Sequence, residues 1–217
     1  MPIPLEDAAR SGNMLGMRLL LNQNDKVVLT DYSASDYFDS YAAQKDVELL
    51  EYEFNTNILG NTCSDEYGTT ITVNKNLNAT RRNFTLAHEI AHLELHVNTK
   101  ASAFFSADLR ESAGNMSGIE KEANAFAAGF LMPKSTLISH LHRGHTSHNM
   151  AQSYKVSRQS LYYRMIDYLR MSYNATYSYA DDVTNAYFLC LTKSECLNSE
   201  YLEIINEKGV DFSAEFI

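Results

Sequence analysis

Two histidines four residues apart, with a glutamate directly after the first, constrain this chain more than anything else in it. They lie in the run Asn83-Phe84-Thr85-Leu86-Ala87-His88-Glu89-Ile90-Ala91-His92-Leu93-Glu94-Leu95-His96. On an α-helix, positions at that spacing share a face, so His88 and His92 can point two imidazoles at one ion. Glu89 projects one position round, close enough to meet a water on that ion without ligating it. This H-E-x-x-H arrangement places two nitrogen ligands and a general base on one rigid element, as metal-dependent peptidases do. Phe84, Ala87, Ile90, Ala91 and Leu95 give the helix an apolar back to bury, and Thr80 with Asn83 is the expected cap at its start. The competing reading is a solvated surface helix.

A catalytic zinc site takes three protein ligands and leaves a fourth position for water. The third is expected on a later element that packs across the first. The run Gly118-Ile119-Glu120-Lys121-Glu122-Ala123-Asn124-Ala125-Phe126-Ala127-Ala128-Gly129-Phe130-Leu131-Met132-Pro133 reads as a helix. Ala123, Phe126, Ala127, Phe130 and Leu131 form its 3.6-period stripe and Pro133 stops it. Glu120 falls on the stripe's face, whereas Glu122 sits about 200° round from it. Glu120 is therefore the better candidate ligand, with an ordinary helix-start acid as the alternative. Asn124, one turn on, is placed to hold a ligating histidine from behind.

The two blocks, Phe84 to His92 followed by Glu120-Lys121-Glu122-Ala123-Asn124-Ala125-Phe126-Ala127 and Leu131-Met132-Pro133, resemble the ImmA/IrrE family of metallo-endopeptidases. That family's pattern is F-T-x-A-H-E-x-x-H, then E-x-x-A-N-x-F-A, then L-M-P, and the resemblance covers roughly residues 45 to 170. It implies His88, His92 and Glu120 as metal ligands and Glu89 as base. It also implies a helix-turn-helix transcriptional repressor, of a phage, mobile element or stress response, as substrate. Many members carry an N-terminal DNA-binding domain or a long C-terminal sensor-like domain, and this sequence shows no clear sign of either.

A chain of 217 residues is long enough for a substantial core. No secretory signal or membrane-length stretch is visible, since the run Met14 to Leu21 is short and broken by Arg18, so a cytoplasmic protein is expected. Cys63, Cys190 and Cys196 are odd in number and lack C-x-x-C spacing, which argues against a disulfide framework or a thiolate zinc site. The net charge of −9 is unevenly spread. Residues 134–170 hold Lys134, Arg143, Lys155, Arg158, Arg164 and Arg170 against Asp167, while 171–217 hold eight acids against Lys193 and Lys208. An acidic protein binds nucleic acid poorly without specificity, but a basic segment within it can still meet an acidic partner.

The first thirty residues pattern weakly and suggest a short helix and a strand at Val27–Thr30. Ser33 or Ser35 is the expected cap of a helix running through Tyr41 to about Lys45. Val47–Phe54 and Thr69–Val73 read as strands with a turn-like Asn61–Gly68 between them. A strand beside the ligand helix could align an extended substrate by main-chain pairing. Ala186–Leu191 reads as a strand, and Ser199–Lys208 as a helix closed by Gly209.

All seven histidines fall in two clusters, and the second is His140, His142, His145 and His148. Its expected role is a polar connector, with a second metal site as the alternative. Peptidases of this type stabilise the tetrahedral oxyanion with a cleft-facing side chain, for which His140, Tyr162, Tyr163 and Arg164 are candidates. His96, one turn past His92, is assigned to packing or polarity at the helix end. Met150 to Met165 reads as helix, tight turn, helix, with Ser157 capping the second. A DNA reader would use Arg158, Gln159 and Tyr162; the alternative is a motif packed on the core through Leu161, Met165 and Leu169.

The resulting expectation is an α+β, zincin-like metalloprotease core with a small sheet and ligand-bearing helices, followed by a helix-turn-helix-like segment. The divisions are an N-terminal segment 1–45, a core 46–140, the helical segment 141–172 and an acidic segment 173–217. One Zn²⁺ is expected, with Mn²⁺ or another divalent ion allowed. The rival functions are a protease-derived module that binds a repressor without cutting it, and a DNA-binding regulator using residues 148–170.

Overall fold

A computed structural model describes residues 2–23, 26–54, 57–96, 102–107 (backbone only) and 117–207. The fold is mixed α+β. Its first element is α1 (Leu5–Gln23), a nineteen-residue helix where the sequence suggested only a short one. Sequence periodicity understates α1 because its contact face includes glycines. A side chain at Gly12 would run into the Phe126 carbonyl, and one at Gly129 into the Ala9 carbonyl. The two helix backbones, α1 and α4 (Gly118–Leu131), therefore meet directly, with Ala8, Ala9, Leu15, Leu19 and Leu20 buried beside them.

The segment Leu29–Asp31 is a 3₁₀ turn, so the strand expected at Val27–Thr30 is absent. Neither Ser33 nor Ser35 caps α2 (Phe38–Lys45), which starts from Tyr37 without a side-chain cap. A left-handed Asp46 ends α2 and opens β1 (Val47–Tyr52), two residues shorter than expected.

The sheet has strand order β1-β3-β2-β4, with β2 (Ile58–Asp65), β3 (Gly68–Asn74) and β4 (Ser102–Ala107). β1 runs parallel to β3, while β2 is antiparallel to both β3 and β4. The stretch read as turn-like, Asn61–Gly68, is thus mostly strand β2. Its polar composition disguised it, and only Glu66 and Tyr67 turn, with Asp65 Oδ1 accepting from the Tyr67 amide at 2.8 Å. Alternation on β3 puts Ile71 and Val73 in the core, and Thr62 of β2 pairs with Ile71. This face of the sheet lies under α3 (Ala79–Leu95).

Helix α3 is capped by Asn78, whose side chain accepts from the Arg81 amide at 3.0 Å. Thr80, the expected cap, instead donates to that same side chain. Helix α4 is capped by Ser117, and Pro133 separates it from α5 (Lys134–His142). Then α6 (Ser147–Ser153), a tight turn through left-handed Lys155, and α7 (Arg158–Tyr173) form the helix-turn-helix-like unit. Ser157 caps α7 as expected, accepting from the Ser160 amide at 3.0 Å.

The acidic C-terminal segment packs on this unit through α8 (Tyr177–Leu189), with α9 (Lys193–Leu197) against α5 and α10 (Glu200–Glu207) against α8. Ala186–Leu189, taken for the start of a strand, belongs to α8, where Ala180, Val183, Thr184 and Tyr187 are buried at helical spacing. A short apolar run fits either state, and the Thr176 cap upstream decides it. Tyr187 donates to the His145 carbonyl at 2.6 Å and Tyr201 to that of Met165 at 2.8 Å. Lys208 and Gly209, the expected close of α10, lie outside the described residues. Among the described residues no helix is long and apolar enough to cross a membrane.

Candidate metal centre

Helix α3 carries His88, Glu89 and His92 into the seam between the sheet and α4, and all three are buried. From the first turn of α4, Glu120 reaches across to both histidines. Its Oε2 lies 3.1 Å from His88 Nε2 and its Oε1 3.4 Å from His92 Nε2, while the two Nε2 atoms are 3.0 Å apart. A tetrahedral ion bound at about 2.0–2.2 Å separates its donor atoms by roughly 3.3–3.6 Å. These three donors, all within 4.8 Å of one another, can therefore hold a metal ion with small adjustments. Two imidazoles and one carboxylate, with no thiolate, form a donor set that suits zinc.

The charge balance agrees with a cation site. Burial alone would lower the His88 imidazole, but the bond to Glu120 and the negative charges of Glu89 and Glu120 outweigh it, and its pKa rises. Burial would raise Glu120, yet the bonds to His88 and His92 hold its carboxyl far below the usual range. Both shifts express one fact: the cluster is poised to share positive charge.

Each histidine is held from behind. His88 Nδ1 lies 2.9 Å from Asn124 Oδ1, an acceptor, so Nδ1 donates there and Nε2 is the nitrogen turned to the cluster. His92 Nδ1 lies 3.0 Å from His96 Nδ1, and His96 Nε2 lies 3.0 Å from Glu122 Oε2. Reading α4 by angle alone set Glu122 on the far side. Instead it is buried where α1, α3 and α4 meet, with Oε1 accepting from the Ile3 amide at 3.0 Å.

Glu89 is gripped by β2. The Thr62 hydroxyl lies 2.7 Å from Glu89 Oε2 and 3.0 Å from the Glu89 carbonyl. A methyl at Gly60 would come within 2.7 Å of Thr85 Cγ2 and 2.8 Å of Glu89 Oε1, so glycine is what lets the carboxylate lie against the strand. Both residues escaped notice in the sequence because β2 looked like a loop. The sequence signal available was the β-branched Thr62 among polar neighbours.

The four oxyanion candidates separate. His140 sits beneath Tyr154 and 2.7 Å from His145 Nδ1. Its pKa is pushed down to about 3 by burial and by the charges of His145 and Arg143. This pair ties α5 to the following loop, as a connector would. Tyr162 donates to Asp181 on α8 at 2.6 Å. Tyr163 and Arg164 line a cavity of about 690 Å³ with Phe84 and Asn124. Tyr163 is half exposed there, and Arg164 Nε donates to the Met132 carbonyl at 3.0 Å. Only these two share a wall with a residue of the cluster's surroundings.

The DNA-reading face is engaged too. Arg158 donates to Ser147 Oγ at 3.1 Å and to the Phe188 carbonyl at 3.3 Å, and lies over the Phe188 ring. Tyr162 packs edge-on against that same ring. Helix α8 thus makes contact with two of the three side chains a groove reader would use, of which Arg158 stays exposed.

Residues 42–165 match the family model described as the IrrE N-terminal-like domain, a peptidase family. The chain is also similar to an uncharacterized immunity region protein 2 of Bacillus phage phi105, 29% identical over 111 residues. That similarity spans 49% of this chain and 64% of the phage protein, less than two thirds of its length.

Proposed function

Because this chain belongs to the IrrE N-terminal-like peptidase family, we propose that it is a zinc-dependent endopeptidase making limited cuts in a protein substrate. His88 and His92 ligate through Nε2, Glu120 through its carboxylate, and Glu89 is the general base. The observation that carries this reading is the convergence of the two Nε2 atoms, 3.0 Å apart, with the Glu120 oxygens 3.1 and 3.4 Å from them. Bound there, the ion would activate a water and polarise the scissile carbonyl. Glu89 takes the proton of the attacking water and hands it to the leaving amine. Thr62 and Gly60 aim that carboxylate, and Asn124 fixes the His88 tautomer. Tyr163 is the better placed of the oxyanion candidates, being half exposed on the cavity wall beside Asn124.

The substrate we assign is a helix-turn-helix repressor, supported by the motif resemblance and by the immunity-region name of the phage relative. A cytoplasmic site of action follows from that substrate. Co-expression with the repressor encoded nearest to this gene, wild type beside Glu89→Gln, tests the reading. Repressor fragments are expected with wild type and none with the variant. Loss of repression without fragments, unchanged by Glu89→Gln, would overturn cleavage in favour of a binding module.

A further inference from the structure

Helix α1 and the residues before it lie outside the family-matched stretch, yet a main-chain amide there is bonded to the carboxylate behind the metal centre. We propose that Ile3, Glu122 and His96 form a positioning relay that fixes the tautomer and direction of His92. This rests on the reading of His92 as a ligand. To offer Nε2 to an ion, His92 must carry its proton on Nδ1, where it donates to His96 Nδ1 at 3.0 Å. His96 must then be the neutral Nε2–H tautomer, and that hydrogen points at Glu122 Oε2, again at 3.0 Å. The other carboxylate oxygen accepts from the Ile3 amide at 3.0 Å. Every link has one permitted direction.

The side chains of His96 and Glu122 are 8% and 5% exposed, so water competes weakly for these bonds. The relay also makes the two ligating histidines unequal. His88 is backed by a neutral amide, whereas His92 is backed through His96 by a carboxylate, which raises its basicity as a ligand. The anchor at Ile3 is itself fixed, because the direct backbone contact of α1 with α4 at Gly12 and Gly129 holds the N-terminal segment in register with Glu122. The N-terminal helix is therefore part of the metal centre's support.

The test is competition of Zn²⁺ against a chromophoric chelator for wild type, His96→Phe, Glu122→Gln and Ile3→Pro, with circular dichroism as the folding control. His96→Phe and Glu122→Gln should weaken zinc binding about 10–100-fold, and Ile3→Pro, which removes the amide donor along with the isoleucine side chain, by a smaller factor. Folded variants that bind within twofold of wild type would overturn the relay. Long-range ¹H–¹⁵N spectra of the wild-type histidines decide the matter even if a variant does not fold. Nδ1–H on His92 with Nε2–H on His96 is expected, and Nδ1–H on His96 overturns it. Wild type that takes up no zinc sinks the reading of the site instead, and the tautomers of the metal-free protein still judge the relay.

Discussion

Replacing Thr62 by valine removes one hydroxyl and leaves the shape of β2 almost unchanged, so it isolates the grip on Glu89. Thr62 and Glu89 are both fully buried, and the hydroxyl lies 2.7 Å from the carboxylate. A hydrogen bond to a charged group contributes about 1.5–3 kcal/mol. For a chain of 217 residues each kcal/mol moves Tm by about 2–4 °C, giving an expected fall of roughly 3–12 °C. Catalysis should suffer separately, because a carboxylate that has lost about 1.4 kcal/mol of orienting energy works about tenfold more slowly. Zinc affinity should hold, since Thr62 touches neither histidine nor Glu120. Scanning calorimetry, turnover of a cleaved protein substrate and chelator competition on one preparation separate these effects, and Thr62→Ser should recover most of the loss. A Tm within about 1 °C of wild type together with unchanged turnover would refute the claim that Thr62 holds the base.

Gly60→Ala sets a methyl against Glu89 Oε1 and Thr85, so turnover should fall by roughly a hundredfold with metal content by mass spectrometry unchanged. Gly129→Ala drives a side chain into the Ala9 carbonyl and should cost about 1–3 kcal/mol of overpacking, read as a lower denaturant midpoint. Burial pushes His140 down to about 3 in the folded chain, against ~6.5 when unfolded. The unfolded chain therefore binds the proton first, and this contribution to stability is complete above about pH 6.5 and shrinks on acidification. The decline is up to about 1.4 kcal/mol per pH unit, so wild type should lose about 2 kcal/mol more than His140→Leu between pH 7 and 5 in urea titrations. A common slope for the two proteins would contradict it.

The cluster itself was legible because helix geometry turns spacing into direction. His88 and His92 share a face by arithmetic, and the choice of Glu120 over Glu122 followed from its place on the apolar stripe. What lay behind the cluster was not legible, because it depends on where three separate elements cross. Glu122 looks misplaced on a lone helix and becomes intelligible only when α1 brings Ile3 beside it. Gly12 and Gly129 cement that contact by lacking side chains, the feature that hydrophobic periodicity cannot register. Strand β2 escaped for a related reason. Its inward positions, Gly60 and Thr62, are chosen to seat a carboxylate rather than to fill a core, so the run reads as polar. The helix-turn-helix shape of α6 and α7 was readable from local spacing and the Ser157 cap. The engagement of Arg158 and Tyr162 was not, since it comes from α8, whose apolar end passed for a strand.

Zinc K-edge absorption on the loaded wild-type protein tests the central claim most directly, because it reports the ligands themselves. Two imidazole nitrogens and oxygen donors at about 2.0–2.2 Å, with one ion per chain, are the predicted result. A sulfur shell at about 2.3 Å, or failure to take up a stoichiometric ion, would contradict it.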